Sequence, residues 1–385
     1  MRKVSLLLLV VFSLAAAGAA RAQLVRGTNM HAGSPEDQAL DAISAATDPA
    51  QKLALIDKFM ADYGKGDMAV IANELYVSYY ADAKNYAKMA EYAQKILAID
   101  PDNFNAAIHL ARAESELGNV AALFDAGEKM NAIIAHYKAQ KPPADSIAAD
   151  WQMRHDQALA DQHDQIAYVQ DILANAVFRL QSPAEQAAYG DRFATNFPDS
   201  PYAASCGALA ASDYQQLQNI PKMTAAADKV LSLDPNNIDT LLLLADYYSD
   251  KGQELDKADA DAKKVLALLP SAKKPESVTD DRWQKQISFQ TGLAWSAEGQ
   301  ILINHNDLDG AVSAFQKASP LLKSNTIYYA RNLYRLGFTY ARMKKIPEAT
   351  AALTEAASLN TPFKAMAQQT LLQVQSSPAP KKTAH

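Results

Sequence analysis

Cysteine is almost absent from this chain of 385 residues, in which Cys206 is the single example. No disulfide can therefore form within the chain, and the fold must be held by core packing alone. We expect Cys206 to be a small buried residue rather than a reactive thiol. Glycine is also sparse, with 14 residues, whereas alanine is abundant. This balance favours helices over sheets.

Motifs of common enzyme active sites are missing as well. The chain has no glycine-flanked nucleophilic serine, no glycine loop that ends in lysine, and no histidine pair around a glutamate at zinc-binding spacing. His155 and His163 lie within what reads as one long polar helix from about Asp150. Their spacing puts them roughly 12 Å apart along the helix axis, too far to share one metal ion. We expect no catalytic residue, cofactor or metal ion, and interpret these histidines as part of a solvated face, with an intermolecular or adventitious metal site as the alternative.

Long apolar runs are confined to the N-terminus. Arg2 and Lys3 precede an apolar run at 4–17. Ala20 and Ala22 supply the small residues at both positions by which a cleavage site is recognised. This pattern is typical of a secretory signal peptide. The run is shorter than the roughly 20 residues of a membrane-spanning helix, and no cysteine lies nearby to accept a lipid. We expect cleavage between Ala22 and Gln23, no membrane span, and a periplasmic or secreted protein.

Positive charge is in deficit. Without Arg2, Lys3 and Arg21, 34 basic residues face 43 acidic ones, which gives a formal charge near −9. A nucleic-acid-binding protein needs a basic surface that neutralises phosphates. The composition therefore argues against nucleic acid as a partner.

The chain does contain an internal repeat. A shift of 134 residues aligns 57–119 with 191–253 without a gap, and 19 positions are identical. Because 134 is close to four units of 34, a shorter period is expected within it. Asp100-Pro101 and Asp234-Pro235 each close one amphipathic run and precede another. Proline disfavours helix in the residue before it, and a following Asp or Asn can cap a new helix, so the shorter unit is a helical hairpin.

Two segments near the C-terminus resemble the tetratricopeptide repeat (TPR) family, through residues at that family's spacings of four, three, nine, four and three. The first set is Trp295, Gly299, Leu302, Ala311, Phe315 and Ala318, and the second is Leu333, Gly337, Tyr340, Ala349, Leu353 and Ala356. Small residues in these sets would let paired helices approach, and large ones would fill the space between hairpins. The resemblance implies an all-α, right-handed solenoid of stacked hairpins in an exported bacterial TPR protein.

The resemblance extends more weakly over most of 35–362, with Met89 and Met223 in place of the small residue. We divide the chain into a signal peptide (1–22), a linker (23–33), N-terminal repeats (34–140), central repeats that include the long helix (141–270), C-terminal repeats with a capping helix at 363–375 (271–375), and a disordered tail (376–385).

In the TPR family the first helix of each hairpin lines a concave groove. Carried over by register, the resemblance implies a candidate groove of Ser78, Asp82, Arg112, Glu116, Asp246, Asp250, Gln300, Asn304, Phe338 and Arg342. The leading hypothesis is a non-catalytic scaffold that holds a protein or an extended peptide of the cell envelope. The alternative is a carbohydrate- or enzyme-associated binding module, in which tyrosines and Trp295 stack on sugars. Exposed aromatic rings in the groove would favour the alternative, and rings packed between helices would favour the scaffold.

We predict that the protein is predominantly α-helical with essentially no sheet, because every periodic segment repeats near 3.6 residues and none alternates over strand length. A far-ultraviolet circular dichroism spectrum measures this directly. A substantial strand contribution would contradict the prediction.

Overall fold

The computed structural model describes residues 24, 30–66, 68–276 and 278–376, which form eighteen α-helices and one short 3₁₀ helix, with no strand. The helices are α1 (Pro35–Ala45), α2 (Pro49–Tyr63), α3 (Met68–Asp82), α4 (Tyr86–Ile99), α5 (Phe104–Leu117), α6 (Val120–Lys138), α7 (Ala148–Ala160), α8 (His163–Arg179), α9 (Pro183–Asn196), α10 (Ala203–Gln216), α11 (Ile220–Leu233), α12 (Ile238–Lys251), α13 (Leu255–Leu268), α14 (Asp280–Asn304), α15 (Leu308–Leu322), α16 (Thr326–Arg342), α17 (Ile346–Ser358) and α18 (Lys364–Ser376). The predicted all-α class is confirmed. The predicted signal peptide and the tail beyond Ser376 lie outside the described residues.

The chain forms two compact units, one up to Leu180 and one from Gln181 onward. In the first unit, successive helices from α1 to α6 pack on one another, and α8 packs on α5 and α6. In the second unit the hairpins α10–α11, α12–α13, α14–α15 and α16–α17 follow one another, α9 packs on α10, and α18 packs on α17 and α16. Each unit is thus a stack of helical hairpins. The division at 140 and 270 drawn from the sequence stays a prediction.

The 134-residue repeat is visible in the helix boundaries. Helices α4 and α5 have the same limits as α11 and α12 after the shift. Their caps correspond too, because Asn103 and Asn237 each accept a hydrogen bond from the backbone N–H three residues on. Gly118 and Gly252 both end their helices with positive φ angles of 74° and 63°, a conformation that glycine adopts without a steric penalty. Local sequence therefore sets where these helices begin and end.

Small residues allow the two helices of a hairpin to touch. A Cβ atom on Gly337 of α16 would lie 2.7 Å from Cγ of Leu353 on α17, and one on Gly299 of α14 would lie 2.6 Å from Cε1 of Phe315 on α15. Both distances are shorter than carbon atoms tolerate, so each glycine is required by its neighbour. Met89, which replaces the small residue in α4, is fully buried. Cys206 is buried as expected, and burial raises the pKa of its thiol to about 12.

The predicted long polar helix is wrong, because α7 ends at Ala160 and α8 begins at His163. The solvated interpretation is also wrong for His155, which is 3% exposed. Its ring stacks on Tyr137 at a centroid distance of 4.1 Å and on Trp151 at 4.5 Å. His163 is exposed, as expected. The aromatic partner of His155 on α6 is 18 residues away in sequence, so no local pattern revealed the sandwich.

Membrane-spanning helices and clustered metal ligands are both absent from the part of the chain that the structure describes. No helix there combines the length and the apolar character required to cross a membrane. No group of three or more His, Cys, Asp or Glu side chains there is arranged to hold a metal ion.

The contact between Gly337 and Leu353 predicts that Gly337→Leu destabilises the protein by about 1–3 kcal/mol, the usual cost of overpacking a tight contact. Because neighbouring hairpins stabilise each other in a repeat protein, the loss extends to α18. The measurement is urea unfolding followed by circular dichroism. As a control, Ala351→Leu places the same side chain on the exposed side of α17 and should change stability little. Equal stability of the two variants would contradict a tight helix crossing at Gly337.

Candidate functional site

The first helices of three successive hairpins, α12, α14 and α16, are neighbours in the second unit. They carry the six predicted groove residues of this unit. We call the surface that these residues share the first-helix face, defined by Asp246, Asp250, Gln300, Asn304, Phe338 and Arg342.

Four charged side chains meet on the first-helix face. Both terminal nitrogens of Arg331 on α16 donate to the two carboxylate oxygens of Asp246 on α12, each at 2.8 Å. Arg335, one turn further along α16, donates through Nη2 to Asp250. Its Nη1 donates to Oγ of Ser296 on α14 at 3.2 Å. The cluster therefore joins three hairpins and spans 85 residues of sequence.

The cluster is largely removed from water. The side chain of Arg335 is 6% exposed and that of Asp246 is 24% exposed. Burial by itself would raise the pKa of Asp246, but the two guanidinium groups outweigh it and hold the pKa below its ordinary value. The guanidinium carbon of Arg331 also lies 5.0 Å from the ring centroid of Tyr328, a cation–π distance. Bidentate arginine–carboxylate pairs fix geometry as well as charge, so the cluster ties α16 to α12.

The other residues of the first-helix face differ in their hydrogen bonds and in their exposure to solvent. The amide of Asn304 donates to the carbonyl of Ser249 on α12 at 2.8 Å. Arg342 donates to Oδ1 of Asn306 at 2.8 Å. Gln300 is half-buried, whereas Phe338 is 39% exposed. The structure thus brings four of the six predicted residues into hydrogen bonds within the protein, whereas the ring of Phe338 stays partly exposed and lies 6.4 Å from that of Tyr334.

In the first unit the four predicted groove residues are all exposed. Ser78 and Asp82 lie on α3, and Arg112 and Glu116 lie on α5. Tyr168 of α8 is 41% exposed near Arg112 and Glu116. Burial lowers the pKa of His109 on α5 to about 4, and the positive charge of Arg112 adds to this effect. These side chains are free to meet a ligand, and their role in binding stays a prediction.

Sequence reasoning missed Arg331 and Arg335. A signal for them existed, because Arg331, Arg335, Phe338 and Arg342 follow one another at spacings of four, three and four and so share one side of α16. The two arginines lie outside the positions compared with the family. No sequence pattern pairs them with aspartates two hairpins earlier.

Four tyrosines of the first unit, Tyr76, Tyr79, Tyr80 and Tyr92, pack on one another. The ring of Tyr76 stacks on that of Tyr92 at 4.2 Å, and Tyr80 lies 5.7 Å from Tyr92. Tyr214 and Tyr340 in the second unit are 5% and 9% exposed. Trp295 is only partly exposed, and the ammonium group of Lys317 covers its ring at 4.0 Å. These rings lie between helices, where they contribute to packing.

Comparison with known proteins gives structural matches only. No protein family and no curated protein matches the sequence. Among solved structures, yeast Tom70 is 12% identical, with 88% of this chain and 94% of that chain covered and a TM-score of 0.32. The APC/C hetero-tetramer Cut9–Hcn1 is 12% identical with coverages of 89% and 90% and a TM-score of 0.29. The TPR domain of P58(IPK) is 13% identical with coverages of 89% and 88% and a TM-score of 0.28. The description of the fold therefore rests on the helix packing of this chain.

We predict that Asp246→Asn destabilises the protein by about 3 kcal/mol, because it leaves buried guanidinium groups without their counter-charge. The depressed pKa of Asp246 means that the carboxylate stabilises the fold fully above the ordinary aspartate pKa of about 3.9. This contribution to the free energy of unfolding is lost as the pH falls through the lower pKa of the folded state. Urea unfolding at neutral and acidic pH measures both effects.

Two variants serve as controls for that prediction. Asp309→Asn removes a carboxylate that is 87% exposed and should have little effect. The pair Asp246→Leu with Arg331→Met replaces the ion pair by apolar groups and should recover most of the lost stability. If Asp246→Asn is as stable as Asp309→Asn, the cluster does not tie α16 to α12.

Proposed function

We propose that this protein is a non-catalytic helical-repeat scaffold that binds a protein or an extended peptide of the cell envelope along the first helices of its hairpins. Stacked hairpins offer a rigid surface on which many weak contacts can add up. The observation that carries the proposal is the contrast between the two units. Exposed polar side chains line α3 and α5, whereas the corresponding surface of the second unit is held by its own ion pairs.

The contrast assigns different roles to the two units. In the second unit the aspartates already have arginine partners, so a ligand would have to compete with an intramolecular bidentate pair. In the first unit Arg112 and Glu116 are exposed to solvent and can be paired by a partner at little desolvation cost. We therefore place the principal contact with the partner on α3 and α5.

The packing of the aromatic rings favours the scaffold over the carbohydrate-associated alternative. A sugar ring stacks on an exposed aromatic face. Tyr76 lies against one face of Tyr92, and the ammonium group of Lys95 lies 4.0 Å from the Tyr92 centroid. Trp295 is similarly covered by Lys317. The faces of Tyr92 and Trp295 are therefore already in contact with the protein, whereas Tyr168 and Phe338 are 41% and 39% exposed.

The compartment is part of the proposal. The signal at 1–22 supports export to the periplasm or beyond the cell, and the mature chain would begin at Gln23. Mass spectrometry of the intact protein purified from the envelope fraction tests this, because the mass identifies the first residue of the mature chain.

We predict that the partner is recovered by affinity capture from an envelope extract with the wild-type protein, and that a triple change on the first helices abolishes recovery. The change is Ser78→Arg with Arg112→Glu and Glu116→Arg, all at exposed positions. Reversed charges at an interface cost several kcal/mol through like-charge contacts. The captured proteins are identified by mass spectrometry.

A matched variant controls for the change of charge. Gln94→Arg with Lys58→Glu and Asp62→Arg alters the net charge by the same amount. It also reverses Lys58 and Asp62, an exposed pair of opposite charges four residues apart on α2. All three positions lie on second helices, α2 and α4. It should capture the partner as the wild type does. If both variants recover the partner equally, binding does not use the first helices of the first unit.

A further inference from the structure

The first unit contains an open cavity of about 430 Å³ between α2, α3 and α4. It is lined by Met60, Asn73, Tyr76, Tyr92, Lys95, Ala98 and Ile99. We call it the α2–α4 cavity. Its volume is within the range of about 300–1,000 Å³ that is typical of ligand sites. Most of its lining comes from α2 and α4, the second helices of two successive hairpins, so it is separate from the candidate groove.

The second copy of the 134-residue repeat shows what this region looks like with small residues. Three large lining residues, Met60, Tyr76 and Tyr92, correspond to Ala194, Ala210 and Ala226, and Asn73 corresponds to Gly207. The three alanines are at most 3% exposed.

The helices of the second copy approach each other closely. A Cβ atom on Gly207 would lie 2.7 Å from Cγ2 of Val230, and one on Gly190 would lie 2.6 Å from the carbonyl oxygen of Cys206. In the first copy, Ile56 occupies the position of Gly190. A side chain of that size cannot lie against the backbone of the next helix, so the two copies differ in packing although their helix limits agree.

The lysine at this site also has different partners in the two copies. Lys229 donates to Asp191 at 2.8 Å and to the hydroxyl of Thr195. In the first copy the equivalent aspartate, Asp57, instead accepts a hydrogen bond from the Tyr76 hydroxyl at 2.6 Å. Lys95 therefore turns to Glu91, which has no counterpart in the second copy.

Lys95 is the charged residue in the lining of the cavity, and the carboxylate of Asp57 contacts the lining residue Tyr76. Glu91 accepts from both Lys88 and Lys95, each at 2.7 Å, so one carboxylate serves two ammonium groups. The two lysines lower the pKa of Glu91 to about 2. Below the rim the walls are mainly carbon, and Ile99 is 49% exposed. The cavity therefore combines a mainly apolar interior with one lysine at its edge.

We propose that the α2–α4 cavity binds an apolar side chain of an extended peptide whose neighbouring residue is acidic. The apolar side chain lies against Met60, Ala98 and Ile99, and the acidic group pairs with Lys95. The side chain of Asn73, which is 5% exposed and donates to the Ala69 carbonyl, offers its remaining amide groups to the peptide backbone. The site is additional to the binding surface on α3 and α5 and does not depend on it.

The experiment is fluorescence anisotropy of the full-length mature protein with a carboxyfluorescein-labelled hexapeptide of sequence GEFLEG, amidated at its C-terminus. We expect saturable binding with Kd on the order of 10–100 μM. A peptide with lysine in place of both glutamates, and one with serine in place of phenylalanine and leucine, should each bind at least about tenfold more weakly. Absence of saturable binding at about 1 mM, or equal binding of the lysine peptide, overturns the proposal.

Paired variants locate the site. Ala98→Phe fills the cavity from an exposed position and should weaken binding at least about tenfold. Ser232→Phe places the same side chain at the equivalent exposed position of the second copy and should stay within about twofold. Lys95→Gln should weaken binding more than Lys88→Gln, because Lys88 shares Glu91 but does not line the cavity. Circular dichroism melting verifies that each variant folds.

Two outcomes of the paired experiment contradict the proposal. Equal binding by Ala98→Phe and the wild type would place the peptide elsewhere on the protein. A wild-type dimer in analytical ultracentrifugation that Ala98→Phe dissociates would assign the cavity to a second copy of the chain and not to a peptide.

Discussion

The contact between the two helices of a hairpin is the constraint on which the rest of this structure depends. At Gly337 and Gly299 the neighbouring helix leaves no room for a Cβ atom, and the space is filled by Leu353 and Phe315. With one buried thiol and no disulfide, the fold has no covalent reinforcement. Each hairpin buries its apolar side against the next, so the distance between helices sets the position of every side chain on the first helices.

The same constraint explains why two copies of one repeat differ in surface shape. The helix limits of the copies agree because caps such as Asn103 and Asn237 act locally. Where glycine and alanine lie between the helices, the second copy packs tightly. Where Ile56 and the tyrosines lie, the first copy opens a cavity. A change in side-chain volume at a helix crossing thus becomes a change in surface shape.

Ion pairs between helices are a second constraint on the structure. The Arg331–Asp246 and Arg335–Asp250 pairs join α16 to α12 over α14 and neutralise charges that the sequence suggests are available to a ligand. In the first unit the charged side chains of the candidate groove are exposed instead, so solvent screens them and a partner can pair with them. Our assignment of the partner surface to α3 and α5 follows from this difference.

Much of the fold was predictable from the sequence, because its signals are local: apolar residues near a 3.6-residue period, proline and asparagine at helix starts, and glycine at helix ends. The 134-residue identity also predicted helix limits that the structure confirms. What the sequence could not determine involves residues far apart in the chain. The burial of His155 against Tyr137, the pairing of Arg331 with Asp246, and the opening of the α2–α4 cavity depend on which helices become neighbours and how closely they approach. Packing decides these contacts, and no local pattern encodes them.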